Sequence, residues 1–240
     1  MAGEPVGLSC ALSVPPEPLE LPLASDPRRS VTIPPPAAHT GPSPLRMRLL
    51  SHRLRQGQDS AALSALSTDP PFLGGALHAV GGWVGGWVGG GGAAPPLPPS
   101  PWLVVHVHGG GFVAQTSRSH ELYLRGWARA LRAPLLALDY GLAPESPFPR
   151  GVEDVFYGYC WALRNCGLLG STAERVCLTG DSAGGNLALA VALRACAVGV
   201  RAPAGLVTAY PVTLVRAAAS PSRLLTLLDP LLPLGVLGRV

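Results

Sequence analysis

The sequence predicts an α/β protein with a mostly parallel sheet, and three observations carry that prediction. From Trp102 onward, short apolar runs alternate with longer segments of helical periodicity. Strand–helix–strand alternation of this kind means crossover connections between parallel strands. One apolar run ends at His108-Gly109-Gly110-Gly111, and another runs straight into Gly180-Asp181-Ser182-Ala183-Gly184. Both are what a strand needs when its end must turn sharply without a side chain in the way.

Taken in order, residues 103–107 read as a buried strand, rich in Val and ending at a glycine loop. Residues 119–132 read as a helix with Leu122, Trp127, Ala128 and Leu131 at helical spacing. A second buried strand spans 134–140, a proline-punctuated loop 139–149 and a second helix 152–163. A third strand follows at 175–179, a third helix at 184–198 and a fourth strand at 205–210.

The N-terminal part is less regular. Residues 1–101 hold 32 of the 57 Gly and Pro residues, so packing is expected mainly after residue 101. Residues 1–44 are Pro-rich with strand-like runs at 19–23 and 31–33, flanked by proline as edge strands or extended arms are. Residues 45–66 read as a helix followed by loosely helical sequence, with Arg46, Arg48, Arg53 and Arg55 on its solvated face. The segment 81–101, with Trp83 and Trp87 among glycines and then prolines, reads as a low-complexity linker. Its alternative is a pair of tryptophans dipping into a lipid surface. The expected organisation is thus an arm and helix over 1–80, a linker over 81–101 and a catalytic-type core over 102–240.

Composition narrows the function. All 18 basic residues are arginine and they are scattered, so the net charge of +4 marks no nucleic-acid surface. The N-terminus lacks the basic start and apolar core of a signal peptide. The most apolar stretch, 224–237, is broken by Asp229, Pro230 and Pro233, so no transmembrane segment is expected. Five cysteines without metal-ligand spacing suggest a reduced, cytosolic setting.

The chemistry gathers at two motifs. Ser182 sits where a tight strand-to-helix turn lifts a hydroxyl above the sheet, which marks it as a nucleophile. The glycine run supplies backbone N–H groups for a developing oxyanion. No Lys-Ser/Thr pair follows that run, so it is not a phosphate-binding loop. His108 abuts the glycines and is read as orienting the loop in preference to acting as a base. His106, inside the strand, is read as a core histidine.

His108–Phe112, then Asp139-Tyr140-Gly141-Leu142-Ala143-Pro144-Glu145 with Pro147-Phe148-Pro149, then Gly180–Asn186 occur in the order and spacing of the hormone-sensitive lipase family of α/β hydrolases. The resemblance is strong over 102–240 and looser over 12–66. It implies a partial α/β-hydrolase fold, with Ser182 as nucleophile and an oxyanion hole from Gly109, Gly110, Gly111 and Ala183. His108, Asp139 and Glu145 would support the surrounding loops, Asp139 and Glu145 through structure or through contact with substrate. It implies a carboxylic-ester hydrolase acting on neutral lipid esters such as acylglycerols and cholesteryl esters, without metal or cofactor. A homodimer and association with lipid droplets are family expectations.

The chain departs from the family's pattern in one respect. The triad of this fold runs Ser, then Asp or Glu, then His. No histidine follows Ser182, and Asp229, the sole later carboxylate, lies before the family's catalytic Asp. The expectation is therefore an incomplete copy of a larger enzyme, inactive alone, with the C-terminal strands of the fold lacking. The alternative is a non-catalytic ligand-binding or interaction protein of the same fold.

Overall fold

The computed structural model describes residues 8–69 and 95–214, together with Pro221 and Leu225. Among these, the strands are β1 (Leu8–Val14), β2 (Leu19–Pro22), β3 (Ser30–Ile33), β4 (Leu45–Ser51), β5 (Ser100–Val107), β6 (Leu135–Asp139), β7 (Ser171–Asp181) and β8 (Gly205–Ala209). The helices are α1 (Ala61–Leu66), α2 (Ser117–Leu131), α3 (Arg150–Arg164) and α4 (Ala183–Val198). Six strands form one sheet in the order β1-β4-β6-β5-β7-β8, and β2 with β3 form a separate antiparallel pair. Strands β6, β5, β7 and β8 are parallel, whereas β4 pairs antiparallel with both β1 and β6. The mostly parallel α/β sheet read from the sequence is the sheet observed.

Alternation along the central strands sorts their side chains between two helical layers. Leu103, Val105, Val107, Leu136 and Leu138 join the large core that includes Val155 and Tyr159 of α3 and Leu187 and Val191 of α4. Val104, Leu135 and Ala137 face the other way and pack with Leu50 of β4 and with Leu124 and Ala128 of α2. Burial on both faces is why these strands read as unbroken apolar runs.

Two sequence expectations are corrected here. Residues 45–66 are not a helix but strand β4, an irregular stretch and the six-residue α1. Leu45, Met47 and Leu49 are buried while Arg46 is exposed and Arg48 partly so. That is a period of two, and the arginine pairs 46/48 and 53/55 follow the same period. Strand β1, unread in the sequence, pairs with β4 in the register Leu12↔Met47. Residues from the presumed N-terminal arm thus belong to the core sheet. The linker reading of 81–101 falls mostly outside the described residues, but Ser100 already begins β5.

The second correction concerns α2. Its buried residues are Ser117, His120, Leu124 and Ala128, whereas Leu122 is 89% exposed and Leu131 58%. The apolar stripe picked out by hydrophobicity is mostly the outer face, because the inner face carries polar residues that serve the sheet ends. Ser117 donates its N–H and its hydroxyl to Asp139, 2.5 and 2.9 Å away, which fixes the N-terminus of α2 to the end of β6.

Among the side chains that tie down the N-terminal segment is one that the sequence did not single out. Arg150, 4% exposed, pairs with Asp154 at 2.8 Å. Its remaining N–H groups donate to Ala38 O, Thr40 Oγ1, Gly41 O and Ser43 Oγ. Asp154 also accepts the Gly141 N–H at 2.7 Å, so the same pair holds the loop after β6. Burial outweighs these partners and keeps the Asp154 carboxyl above its ordinary range.

Arg150→Met leaves a buried carboxyl without its cation and frees the 38–43 segment. A loss of about 3–5 kcal/mol is expected, read from the denaturant midpoint; a change under about 1 kcal/mol would dismiss Arg150 as the anchor. Two glycines give a second, paired expectation. A Cβ on Gly184 would lie 2.1 Å from Val107 O and 2.5 Å from His108 O, both backbone atoms, while one on exposed Gly126 meets nothing within 4 Å. Gly184→Ala should therefore destabilise by at least about 1–3 kcal/mol. Gly126→Ala, in the body of α2, should stabilise by about 0.5–1 kcal/mol.

Candidate active site

Strand β7 ends at Asp181 and α4 begins at Ala183, so Ser182 alone makes the turn between them. Its backbone sits at φ 51° and ψ −116°, a region costing a non-glycine residue on the order of 1–3 kcal/mol. Three hydrogen bonds hold it there. Ser182 N–H donates to Ala209 O at 2.9 Å, and Ser182 O accepts from Asn186 N–H at 3.1 Å and Val212 N–H at 3.3 Å. The flanking glycines are sterically required, since a Cβ on Gly180 would lie 2.4 Å from Gly184 O. The sequence reading of this turn as a strand–serine–helix elbow is the geometry observed.

The glycine loop lies directly against the elbow. Gly110 and Gly111 adopt positive φ, 110° and 62°, and the Gly110 carbonyl accepts the N–H groups of Val113 and Ala114. Gly109 N–H donates to Asp181 Oδ1 at 3.1 Å, and a Cβ there would fall 2.4 Å from Asp181 Oδ2. Of the three loop glycines, Gly109 thus spends its N–H on bracing the loop. Among the described residues the N–H groups of Gly110 and Gly111 have no acceptor within the chain. That of Ala183, the first residue of α4, has no intrahelical acceptor either.

His108 is buried, and its Nδ1 lies 2.7 Å from Gly109 O, so it donates to the loop beside it. Its ring stacks on Tyr140 at 4.3 Å, and Tyr140 in turn donates to His108 O. Burial pushes the His108 imidazole below its usual pKa, toward the neutral form. Asp139 caps α2 through Ser117, whereas Glu145 is exposed and makes no hydrogen bond or ion pair among the described residues. The structure therefore gathers Ser182, Ala183, the three glycines and His108 at one place, with Asp139 behind them and Glu145 outside.

Behind the elbow lies a polar cluster that the sequence did not anticipate. Asp181 lies 3.2 Å from His120 Nε2 of α2 and 3.8 Å from His106 Nε2 of β5. Burial alone would raise the Asp181 carboxyl, but His120, His106 and the Gly109 N–H hold it below its usual range. His106 is satisfied as a core histidine should be, with Thr179 Oγ1 at 2.9 Å and the Tyr123 hydroxyl at 3.2 Å. Burial, with His120 beside it, pushes its pKa down to about 3. One sequence signal could have found His120: it stands four and eight residues before Leu124 and Ala128, on the face α2 buries. No helix among the described residues is long and apolar enough to cross a membrane, and all five cysteines are free.

Comparison with known proteins fits this geometry. A family model for the alpha/beta hydrolase fold matches residues 104–234, and one for the hormone-sensitive lipase N-terminus matches residues 1–59. The chain is 54% identical over its whole length to hormone-sensitive lipase of Homo sapiens and of Mus musculus, spanning 21% and 30% of those proteins. Over 97 residues, 40% of the chain and 30% of the relative, it is 37% identical to the carboxylesterase NlhH of Mycobacterium tuberculosis. Among solved structures, a Pyrobaculum calidifontis esterase superposes with a TM-score of 0.62 at 22% identity. That superposition covers 99% of this chain and 56% of the other. The thermostable carboxylesterase EstE1, from a metagenomic library, also gives 0.62, at 20% identity over 99% of this chain and 59% of its own. At such identities these two likenesses concern the fold alone. With the hydrolase-fold model covering more than half of its residues, the chain belongs to the α/β hydrolase fold family.

Proposed function

We propose that this chain is the nucleophile-bearing part of a serine carboxylic-ester hydrolase that acts on neutral lipid esters, acylglycerols and cholesteryl esters among them. The observation that carries the proposal is Ser182, held at φ 51° between strand and helix with a glycine loop braced against it. The likeness to proteins named hormone-sensitive lipase supports the lipid substrate. A cytosolic site of action at the lipid-droplet surface, as a homodimer, belongs to the same proposal.

In this reading the Ser182 hydroxyl oxygen attacks the acyl carbonyl carbon as its proton passes to a base. The carbonyl π pair moves onto oxygen, which accepts hydrogen bonds from the N–H groups of Gly110, Gly111 and Ala183. Each such donor is worth about 10²–10³ in rate. Collapse of the intermediate breaks the ester C–O bond, the alcohol leaves with a proton, and water then releases the acid from the acyl-serine. Gly109 serves as the fastening of the loop, its N–H being held by Asp181. His108 keeps the loop's carbonyl edge turned inward through Gly109 O.

A serine hydroxyl needs an adjacent base to react at useful rates. Within the 240 residues no histidine follows Ser182, and Asp229 lies outside the described residues. We therefore expect the isolated chain to release p-nitrophenol from p-nitrophenyl butyrate at the background rate, equal to its Ser182→Ala variant. Robust hydrolysis abolished by Ser182→Ala would overturn that expectation and point to an unrecognised base such as His108. Sequencing the transcript past the codon for Val240 tests the hydrolase reading itself. The expected result is a reading frame continuing into strand-like segments with an Asp and a His. In that longer protein Ser182→Ala should cut kcat by about 10⁴–10⁶-fold. A stop codon at that point would favour a ligand-binding role instead.

A further inference from the structure

His106, His120 and Asp181 come from β5, α2 and the end of β7, and they meet behind the elbow. One ligand-type atom from each lies within 4.8 Å of the others. The two imidazoles are buried and Asp181 is partly so. What makes the cluster unusual is where its protons are. Thr179 Oγ1 lies 3.4 Å from Val105 O, to which its hydroxyl can only donate, so the same oxygen accepts from His106 Nδ1 at 2.9 Å. His106 Nε2 is thereby left with a lone pair, which accepts from the Tyr123 hydroxyl at 3.2 Å and lies 3.8 Å from Asp181 Oδ1.

The same logic applies to His120. Ser119 hydroxyl donates to Thr116 O at 2.6 Å, so Ser119 Oγ accepts from His120 Nδ1 at 3.1 Å. These proton positions are assigned from the hydrogen-bond network, and both assignments point the same way. Both imidazole Nε2 atoms are turned toward Asp181 Oδ1, at 3.8 and 3.2 Å. The Tyr123 hydroxyl and the Gly109 N–H each reach one member from outside, at 3.2 and 3.1 Å. They do not put positive charge between the three.

We propose that His106 Nε2, His120 Nε2 and Asp181 Oδ1 form a binding site for a borderline divalent transition-metal ion such as Zn²⁺. The ion takes the place of the His120–Asp181 and Tyr123–His106 contacts. Two imidazoles and one carboxylate are a donor set that suits zinc, with a fourth position left to water. Thr179 and Ser119 are the outer partners that such histidines ordinarily have. Each accepts a hydrogen bond from Nδ1–H, fixing the tautomer and aiming Nε2 inward. Asp181 stands between Gly109 and Ser182 in the bonding pattern, so an ion here fastens the glycine loop and the elbow to α2. The site does not depend on the hydrolase reading, because binding is measured without turnover.

The test uses the full 240-residue chain, stripped with a chelator and titrated with Zn²⁺ in a calorimeter and with Co²⁺ in the visible spectrum. One equivalent should bind saturably with a d–d spectrum from nitrogen and oxygen ligands. Binding should vanish in Asp181→Asn and His120→Gln and persist in His39→Ala, which removes an exposed histidine. Thr179→Val, nearly isosteric and remote from the ion, should weaken Zn²⁺ affinity by roughly 10–100-fold. It keeps the test decisive if the ligand variants fail to fold, as far-UV circular dichroism would show. No saturable binding, equal affinity in wild type and Thr179→Val, or an intense near-ultraviolet thiolate band assigning the ion to cysteines would each overturn the proposal.

Discussion

The arrangement hangs on how closely the start of α4 approaches the end of β5. Gly184 leaves room for the Val107 and His108 carbonyls where any Cβ would intrude to 2.1 Å. Because β5 and β7 are parallel neighbours, with Val107 level with Gly180, their ends emerge side by side at the same edge of the sheet. The glycine loop after β5 and the serine turn after β7 are therefore adjacent by topology. The absence of side chains then brings them into contact. Ser182 bears the backbone strain, and the surrounding bonds to Ala209, Asn186 and Val212 prevent its relaxation.

What the sequence made legible follows from this. Strands buried on both faces announce themselves as apolar runs, and a tight turn announces itself through glycine. Both signals are local, so β5 to β7, α3, α4 and the Ser182 turn could be read from the sequence, whereas β8, with Leu206 and Val207 exposed, was read from its apolar composition alone. The failures share a different cause. Strand β4 alternates Leu, Arg, Met, Arg and Leu over a single short span. Charge spacing suggested a helix, while the period of two, fixed by pairing with β1 and β6, decided the outcome. Helix α2 was recognised as a helix, but its inner face was not, because Ser117 and His120 are buried for their hydrogen bonds and not for hydrophobicity.

Polar burial also explains why Arg150 escaped notice. Its partners are three backbone or side-chain groups between residues 38 and 41, Ser43, and an aspartate one turn along its own helix. Nothing in the local pattern distinguishes it from a surface arginine four residues before an aspartate. Only the path of the N-terminal segment across α3 turns that ordinary helix pair into a buried junction. The same junction holds Gly141, so one ion pair reaches both the chain before β4 and the loop after β6.

The candidate site shows a similar division between what motif and topology supply. The motif places a nucleophile and a run of N–H donors, but it does not say which donors are free. Asp181 takes Gly109 for itself, and this removes one donor from the edge facing Ser182 while fixing the other two. Asp181 accepts that N–H, and His120 beside it helps hold its carboxyl below the usual range. Its position one residue before the nucleophile therefore does more than complete a turn. It couples the loop, the elbow and the inner face of α2 through a single charged group. The polar residues that disguised that face in the sequence are there because the coupling requires them.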